Sequence, residues 1–243
     1  MIIDAKTRYA SMDSYTRTII SDMLAGIKSK QSQVLVSDPG TGKSSLIYDL
    51  AKNFLNMGVI TILGSQREPT DITGFPHIES RPLPNGGKLN VTTYSPPDWQ
   101  FRILNEKRLV IFLDEITNTK PDVMASMLQI LNERTLPNLM KIPDQTVIIG
   151  AMNPTSTAAN GYKLSLPVAN RLKFIPWEPS FKSWANGMND NWGDPDGISE
   201  SEKKWRKRII SFLSTHRDMV YKLPNPAANV NAGAVYGFGN SPA

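Results

Sequence analysis

A mixed α/β protein with a parallel sheet is the fold class this sequence predicts, on three observations. Residues 37–45, SDPGTGKSS, join an apolar run to a helix-forming run and contain Gly42, Lys43 and Ser44 in succession. Short β-branched, apolar runs then alternate with amphipathic helical stretches, the rhythm of strand–helix–strand units. The most apolar run, Leu109 to Leu113, is followed at once by Asp114 and Glu115. Open α/β sheets place their chemistry at the carboxyl ends of such strands.

In chain order, Asp13 to Lys30 reads as an amphipathic helix with Ile20, Met23, Leu24 and Ile27 on one face. Gln33 to Val36 reads as a short buried strand leading into the glycine-rich loop. Gly40 and Gly42 let successive backbone amides curl around an anion without a Cβ in the way. A lysine directly before a serine at a helix start adds a mobile cation for outer phosphates and a hydroxyl for Mg²⁺. Those residues are Lys43 and Ser44. Average composition yields a chance G-x-G-K-S/T in a chain this long with a frequency on the order of one per cent. The helix after the loop carries Leu46, Ile47, Leu50, Ala51 and Phe54, and Gly58 stands as its stop.

Val59 to Leu63 reads as a second buried strand. The stretch REPTDITGFPHIESRPLPNGGKLNVTTYSPPDW then breaks the rhythm, and a turn at Asn85, Gly86 and Gly87 makes it an inserted β-hairpin. Leu109 to Leu113 is the third core strand. Pro121 opens a helix with Val123, Met124, Met127, Leu128 and Leu131 as its apolar stripe; the methionines there are core filler. ERTLPNLMKIPDQ reads as a second hairpin, and Val147 to Ala151 as a fourth strand ending in Met152, Asn153 and Pro154. Leu172 to Ile175 is a fifth strand, with Pro176 suited to an edge. Beyond Trp177 the composition shifts to a smaller helical unit: FKSWANGM, then a helix opened by a Ser199/Glu202 capping pattern. The division falls between residues 1–178 and 179–243. Lys203, Lys204, Arg206, Lys207 and Arg208 crowd that helix, as a solvated face or as a nucleic-acid or subunit contact. The final NPAANVNAGAVYGFGNSPA suggests no element.

The chain's 243 residues, 40% hydrophobic and 20% charged, suffice for a sizeable core. No apolar run approaches the roughly 20 residues of a spanning helix, and the N-terminus lacks the pattern of a signal peptide. With no cysteine, disulfides and zinc–thiolate sites are excluded, and a cytoplasmic address is expected. The net charge of +5 suits acidic partners as well as a nucleotide.

DPGTGKSS, LVIFLDE, IIGAMNP and LPVANRLKF, in that order, resemble an AAA+ ATPase, and SQREPTDITGFP, YSPPDWQ and ANRLKFIPW resemble its MoxR-like branch. The resemblance covers nearly the whole chain. It implies a P-loop NTPase fold: a five-stranded parallel sheet ordered 5-1-4-3-2, hairpin insertions, and a C-terminal helical lid over the nucleotide. It also implies that Asp38, Pro39, Gly40, Thr41, Gly42, Lys43, Ser44 and Ser45 form the nucleotide loop (Walker A). Mg²⁺ then falls to Ser44 and Asp114, the latter as Walker B acid. By the same resemblance Glu115 polarises the attacking water, Asn153 is the sensor 1 amide, and Arg171 is the finger donated to a neighbour's γ-phosphate. Alone, each has a plainer reading: Glu115 as a helix cap, Asn153 as a turn residue, Arg171 as a surface ion-pair partner.

Two positions depart from the family's pattern. Ser37 stands where the first Walker A glycine belongs, and no helix bearing a sensor 2 arginine is recognisable at the C-terminus. Either the chain is a truncated version of a longer protein or its lid works without that arginine. The implied activity is ATP hydrolysis with Mg²⁺ in a ring, a hexamer being the expected size, that remodels a protein client. In the MoxR-like branch a partner with a von Willebrand factor A domain is common. The competing classes are a nucleic-acid motor or clamp-loader-like ATPase, and an ATP-binding scaffold that hydrolyses little. A small-molecule P-loop kinase is disfavoured, because Asn153 and Arg171 have no part in it.

Overall fold

The computed structural model describes residues 5–106, 108–136, 140–154, 164, 169–193, 197–217 and 219. Its contacts divide the chain into a unit of residues 2–178 and a second from Pro179 onward. In the first unit, β1 (Gln33–Val36), β2 (Gly58–Leu63), β5 (Leu109–Asp114), β6 (Val147–Met152) and β7 (Lys173–Pro176) form one sheet in the order β2-β5-β6-β1-β7. Every neighbouring pair is parallel. Counting these five strands alone, the order is 5-1-4-3-2, as the resemblance implied. β3 (Phe75–Pro82) and β4 (Lys88–Ser95) form the inserted antiparallel hairpin, a separate two-stranded sheet.

Parallel strands buried on both faces read as continuous apolar runs, and β5 shows why. Leu109, Ile111 and Leu113 face one cluster with Ile103 of α5 (Asp98–Glu106) and Val123, Met127 and Leu131 of α6 (Pro121–Glu133). Val110 and Phe112 face the other, with Ile20 and Met23 of α2 (Ser14–Lys28) and Leu46 and Ile47 of α3 (Lys43–Asp49). Pro176 ends β7 at the sheet edge, where β7 pairs with β1.

Several local expectations are corrected. The helix expected over 13–30 is Ser14–Lys28, with Asp13 as N-cap accepting from Thr16 N. The helix after the loop passes into a π-helix over Leu50–Leu55 and stops at Asn56, which takes the left-handed conformation at φ 50°. Gly58 instead begins β2. Asparagine tolerates that conformation and competes with glycine as a helix stop. The second hairpin, by contrast, is present as far as it is described: Thr135 and Lys141 form an antiparallel bridge, Leu136 N donates to Met140 O at 2.7 Å and Ile142 N to Arg134 O at 2.8 Å, and its tip, residues 137–139, lies outside the described residues. Three helices were not anticipated: α1 (Ala5–Ser11), α4 (Pro69–Thr73) and α5. The Arg8 guanidinium of α1 is buried against the Asp49 carboxylate, with Nε at 2.9 Å from Oδ2, and Asn53 Nδ2 also donates to Asp49 Oδ1 at 2.8 Å.

In the second unit, α7 (Phe181–Asp190) and α8 (Glu200–Thr215) pack through Phe181, Ala185 and Leu213. Ser199 caps α8 by accepting from Glu202 N at 3.2 Å. The expectation of a missing sensor 2 helix falls on residues 220–243, outside the described residues.

Candidate functional site

Sheet order builds the site. β6 lies beside β1, so the loop after Val36 and the residues after Met152 emerge together, and Ser37 N donates to Met152 O at 3.3 Å. Gly40 (φ 77°) and Gly42 (φ 85°) both sit in the left-handed region. A Cβ on Gly40 would meet open space, so conformation rather than crowding requires glycine there. Ser37 needs no such freedom; its hydroxyl pairs with Thr41 Oγ1 at 2.5 Å, and Thr41 Oγ1 donates to Asp38 O at 2.9 Å. Trp177, just past β7 and buried, donates from Nε1 to Thr41 O at 3.0 Å.

Lys43 opens α3 and is only 8% exposed. Its Nζ donates to Asn153 Oδ1 (2.8 Å), Ser37 O (2.8 Å) and Asp38 O (3.0 Å). Burial pulls its pKa from 10.5 down to about 8, while the charges of Asp114, Asp38 and Glu115 resist that fall. About nine in ten of these lysines therefore remain cationic at pH 7.

Ser44 Oγ donates to Asp114 Oδ2 at 3.0 Å, and Glu115 N donates to Asp114 Oδ1 at 2.8 Å. Burial raises the Asp114 pKa; the bonds from Ser44 and Glu115 N oppose it, Glu115's charge adds to it and Lys43's opposes it. Glu115 itself is left-handed, at φ 55° and ψ 38°. Its carbonyl accepts from Thr119 Oγ1 at 2.9 Å, and Thr117 Oγ1 donates to Asn153 O at 3.2 Å.

The structure thus gathers Lys43, Ser44, Asp114, Glu115 and Asn153 at the carboxyl ends of β1, β5 and β6. Arg171 is not among them. Lys173 pairs with Gln33 and Pro176 with Val36, so Arg171 lies beyond the opposite end of the sheet, and it is exposed. Sequence reasoning missed Trp177, Thr117 and Thr119 as members of the site. Their contacts join positions distant in the chain or depend on one turn's conformation, and no spacing signals them. In the basic run of α8, Lys203 pairs with Glu200, Arg206 with Glu202, and Arg208 lies over Trp205. Those pairings account for much of the run as a solvated helix face.

The residues present suit a Mg²⁺–nucleotide. The loop combines two left-handed glycines with a buried cation, and a serine hydroxyl adjoins an aspartate. Among the described residues no group of three or more histidines and carboxylates could hold a metal unaided. Ser44 and Asp114 are the residues that would hold Mg²⁺. Among the described residues, no helix is long and apolar enough to cross a membrane.

No curated protein sequence matches the chain. Among solved structures, a Cytophaga hutchinsonii protein provisionally described as an ATPase is similar, with a TM-score of 0.51 and 15% identity over 92% of this chain and 68% of that one. At that identity the likeness speaks for the fold alone. The family described as AAA domain (dynein-related subfamily) matches residues 32–172, more than half of the chain, from the start of β1 to the start of β7. The matched segment contains the loop, the acidic strand end and the asparagine that meets Lys43, and on that match this chain belongs to the dynein-related subfamily of AAA domains.

Proposed function

We propose that this protein binds ATP with Mg²⁺ and hydrolyses it in a cytoplasmic ring, a hexamer, that remodels a protein client in the manner of the MoxR-like branch. The observation that carries the hydrolytic part is Lys43 Nζ at 2.8 Å from Asn153 Oδ1, beside the Ser44–Asp114 pair. A buried cation, a metal-suited hydroxyl–carboxylate pair and a strand-end amide converge at the mouth of a glycine-rich loop.

Phosphoryl transfer is mostly positioning and neutralisation of spread negative charge. The backbone N–H groups of Asp38 and of residues 40–45 cradle the phosphates, Pro39 having none to give, and Lys43 exchanges its carbonyl acceptors for the outer phosphate oxygens. Bound Mg²⁺ supplies charge neutralisation at those oxygens. Glu115 accepts a hydrogen bond from the attacking water and fixes its direction. Asn153 holds the same water or the terminal phosphate through its amide. Arg171, at the far end of the sheet from its own loop, serves the site of a neighbouring copy. Residues from 179 onward act as the lid. The client is a protein, with a von Willebrand factor A domain partner the first to test.

Glu115→Gln tests the chemistry. ATP affinity should persist while hydrolysis falls by at least about a hundredfold, the low end for losing a positioned base. An unchanged turnover rate would remove Glu115 from the mechanism. The same variant, holding ATP, should retain its client in a pull-down from the native host, with a von Willebrand factor A domain protein among the retained chains.

A further inference from the structure

Glu115 holds a backbone conformation that a residue with a Cβ does not favour: φ 55° and ψ 38° lie in the left-handed region. Such residues persist where their surroundings over-determine them. Three hydrogen bonds do so here. Glu115 N donates to Asp114 Oδ1 at 2.8 Å, and the Glu115 carbonyl accepts from Asn118 N at 2.9 Å and from Thr119 Oγ1 at 2.9 Å.

The Thr119 hydroxyl sits in a shaped seat. Thr119 is fully buried, and a Cβ on Gly64, just past β2, would fall 2.0 Å from Thr119 Oγ1 and 2.8 Å from Met127 Sδ. Glycine at 64 leaves the space that the hydroxyl fills. The other side of the same turn is anchored by Thr117, also fully buried, whose hydroxyl donates to Asn153 O at 3.2 Å. One short turn therefore ties the end of β5 to the end of β6. Backbone torsion at a residue sets the direction of its Cα–Cβ bond, so a return of Glu115 to negative φ would swing its carboxylate away.

We propose that Thr119 is a positioning residue for Glu115: its hydroxyl, seated against Gly64, holds the left-handed conformation that aims the Glu115 carboxylate at the attacking water. The inference rests on the hydrolytic reading above and adds a residue to it.

Thr119→Val keeps the side chain's shape and removes the donor. On the full chain, the ATP dissociation constant should stay within about twofold while single-turnover hydrolysis falls about ten- to a hundredfold, the scale of a small misplacement at the reacting centre. Thr119→Ser, which restores the hydroxyl, should recover most of the rate. Thr119→Val added to Glu115→Gln should lower the residual rate no further. Thr119→Ala, with no steric demand, carries the test if the valine variant does not fold. Normal hydrolysis by the Thr119 variants beside an impaired Glu115→Gln overturns the proposal and leaves the hydrolytic reading standing. A Thr119→Val loss that persists in full in the Glu115→Gln background also overturns it, because the hydroxyl then acts elsewhere. An unimpaired Glu115→Gln removes the hydrolytic reading, and this inference with it.

Discussion

Nucleotide binding is expected to draw a proton onto Lys43. Burial holds its pKa at about 8 rather than 10.5, which disfavours the charged form by about 3 kcal/mol at roughly 1.4 kcal/mol per unit. A polyphosphate beside Nζ favours the ammonium, so the pKa rises in the complex. Between the two values the complex carries more protons than the free protein, and affinity must therefore fall as pH rises through about 8. If the bound pKa exceeds about 10, uptake is about a tenth of a proton at pH 7, a half at pH 8 and nine-tenths at pH 9, and Kd weakens about tenfold from pH 7 to pH 9. A terminal phosphate, with its second pKa at about 6, is already ionised over that range and adds little. Calorimetric titration of ATP without Mg²⁺, in buffers of different ionisation heat, reads the uptake directly. Asp114 is the strongest of the charges that raise the Lys43 pKa, so Asp114→Asn should move the uptake curve to lower pH. Intact binding with no proton uptake between pH 8 and 9 would refute the argument, as would a curve that moves upward.

Arg171→Ala and Lys43→Ala should each be inactive alone, the second because it loses ATP binding. Mixed, they should regain hydrolysis, because some sites join an intact Lys43 to a neighbour's intact Arg171; a finger of this kind is worth about 10³ to 10⁵ in rate. Confirmed mixed rings without activity at any ratio would exclude the role in trans. In the first unit, Arg8→Ala should destabilise the fold by about 3–5 kcal/mol in urea titration, because it removes a buried guanidinium that bonds the Asp49 carboxylate. A loss below about 1 kcal/mol would place that pair in the weak class of exposed ion pairs.

Much of the core was legible because β5 and β6 are buried on both faces and so carry near-unbroken apolar runs. The phosphate loop was legible because its glycines answer to backbone angles that few other residues adopt. Helix α5 was not, since its start follows Pro96 and Pro97, and Gln100 is buried only by donating to Ile72 O at 2.6 Å. Helix α1 has no apolar stripe to announce it, and its Arg8 finds Asp49 across 41 residues of sequence. Within the site, Lys43 meets Asn153 across 110 residues only because β6 is the neighbour of β1. The left-handed turn at Glu115 left no mark in composition, because a glutamate there breaks the local rule that would have flagged a glycine.

Ser37 occupies a position where the family's loop pattern has glycine, yet it is absent from the residues with positive φ. A pattern that demands glycine at that point is stricter than the backbone, which needs freedom at Gly40 and Gly42. What the serine adds is a brace: its hydroxyl meets Thr41 Oγ1 while Trp177 holds Thr41 O from the sheet side. A loop braced in this way is preorganised. The entropy of shaping it is lost during folding rather than on ligand capture, and preorganisation of that kind strengthens binding without a single added contact to the ligand.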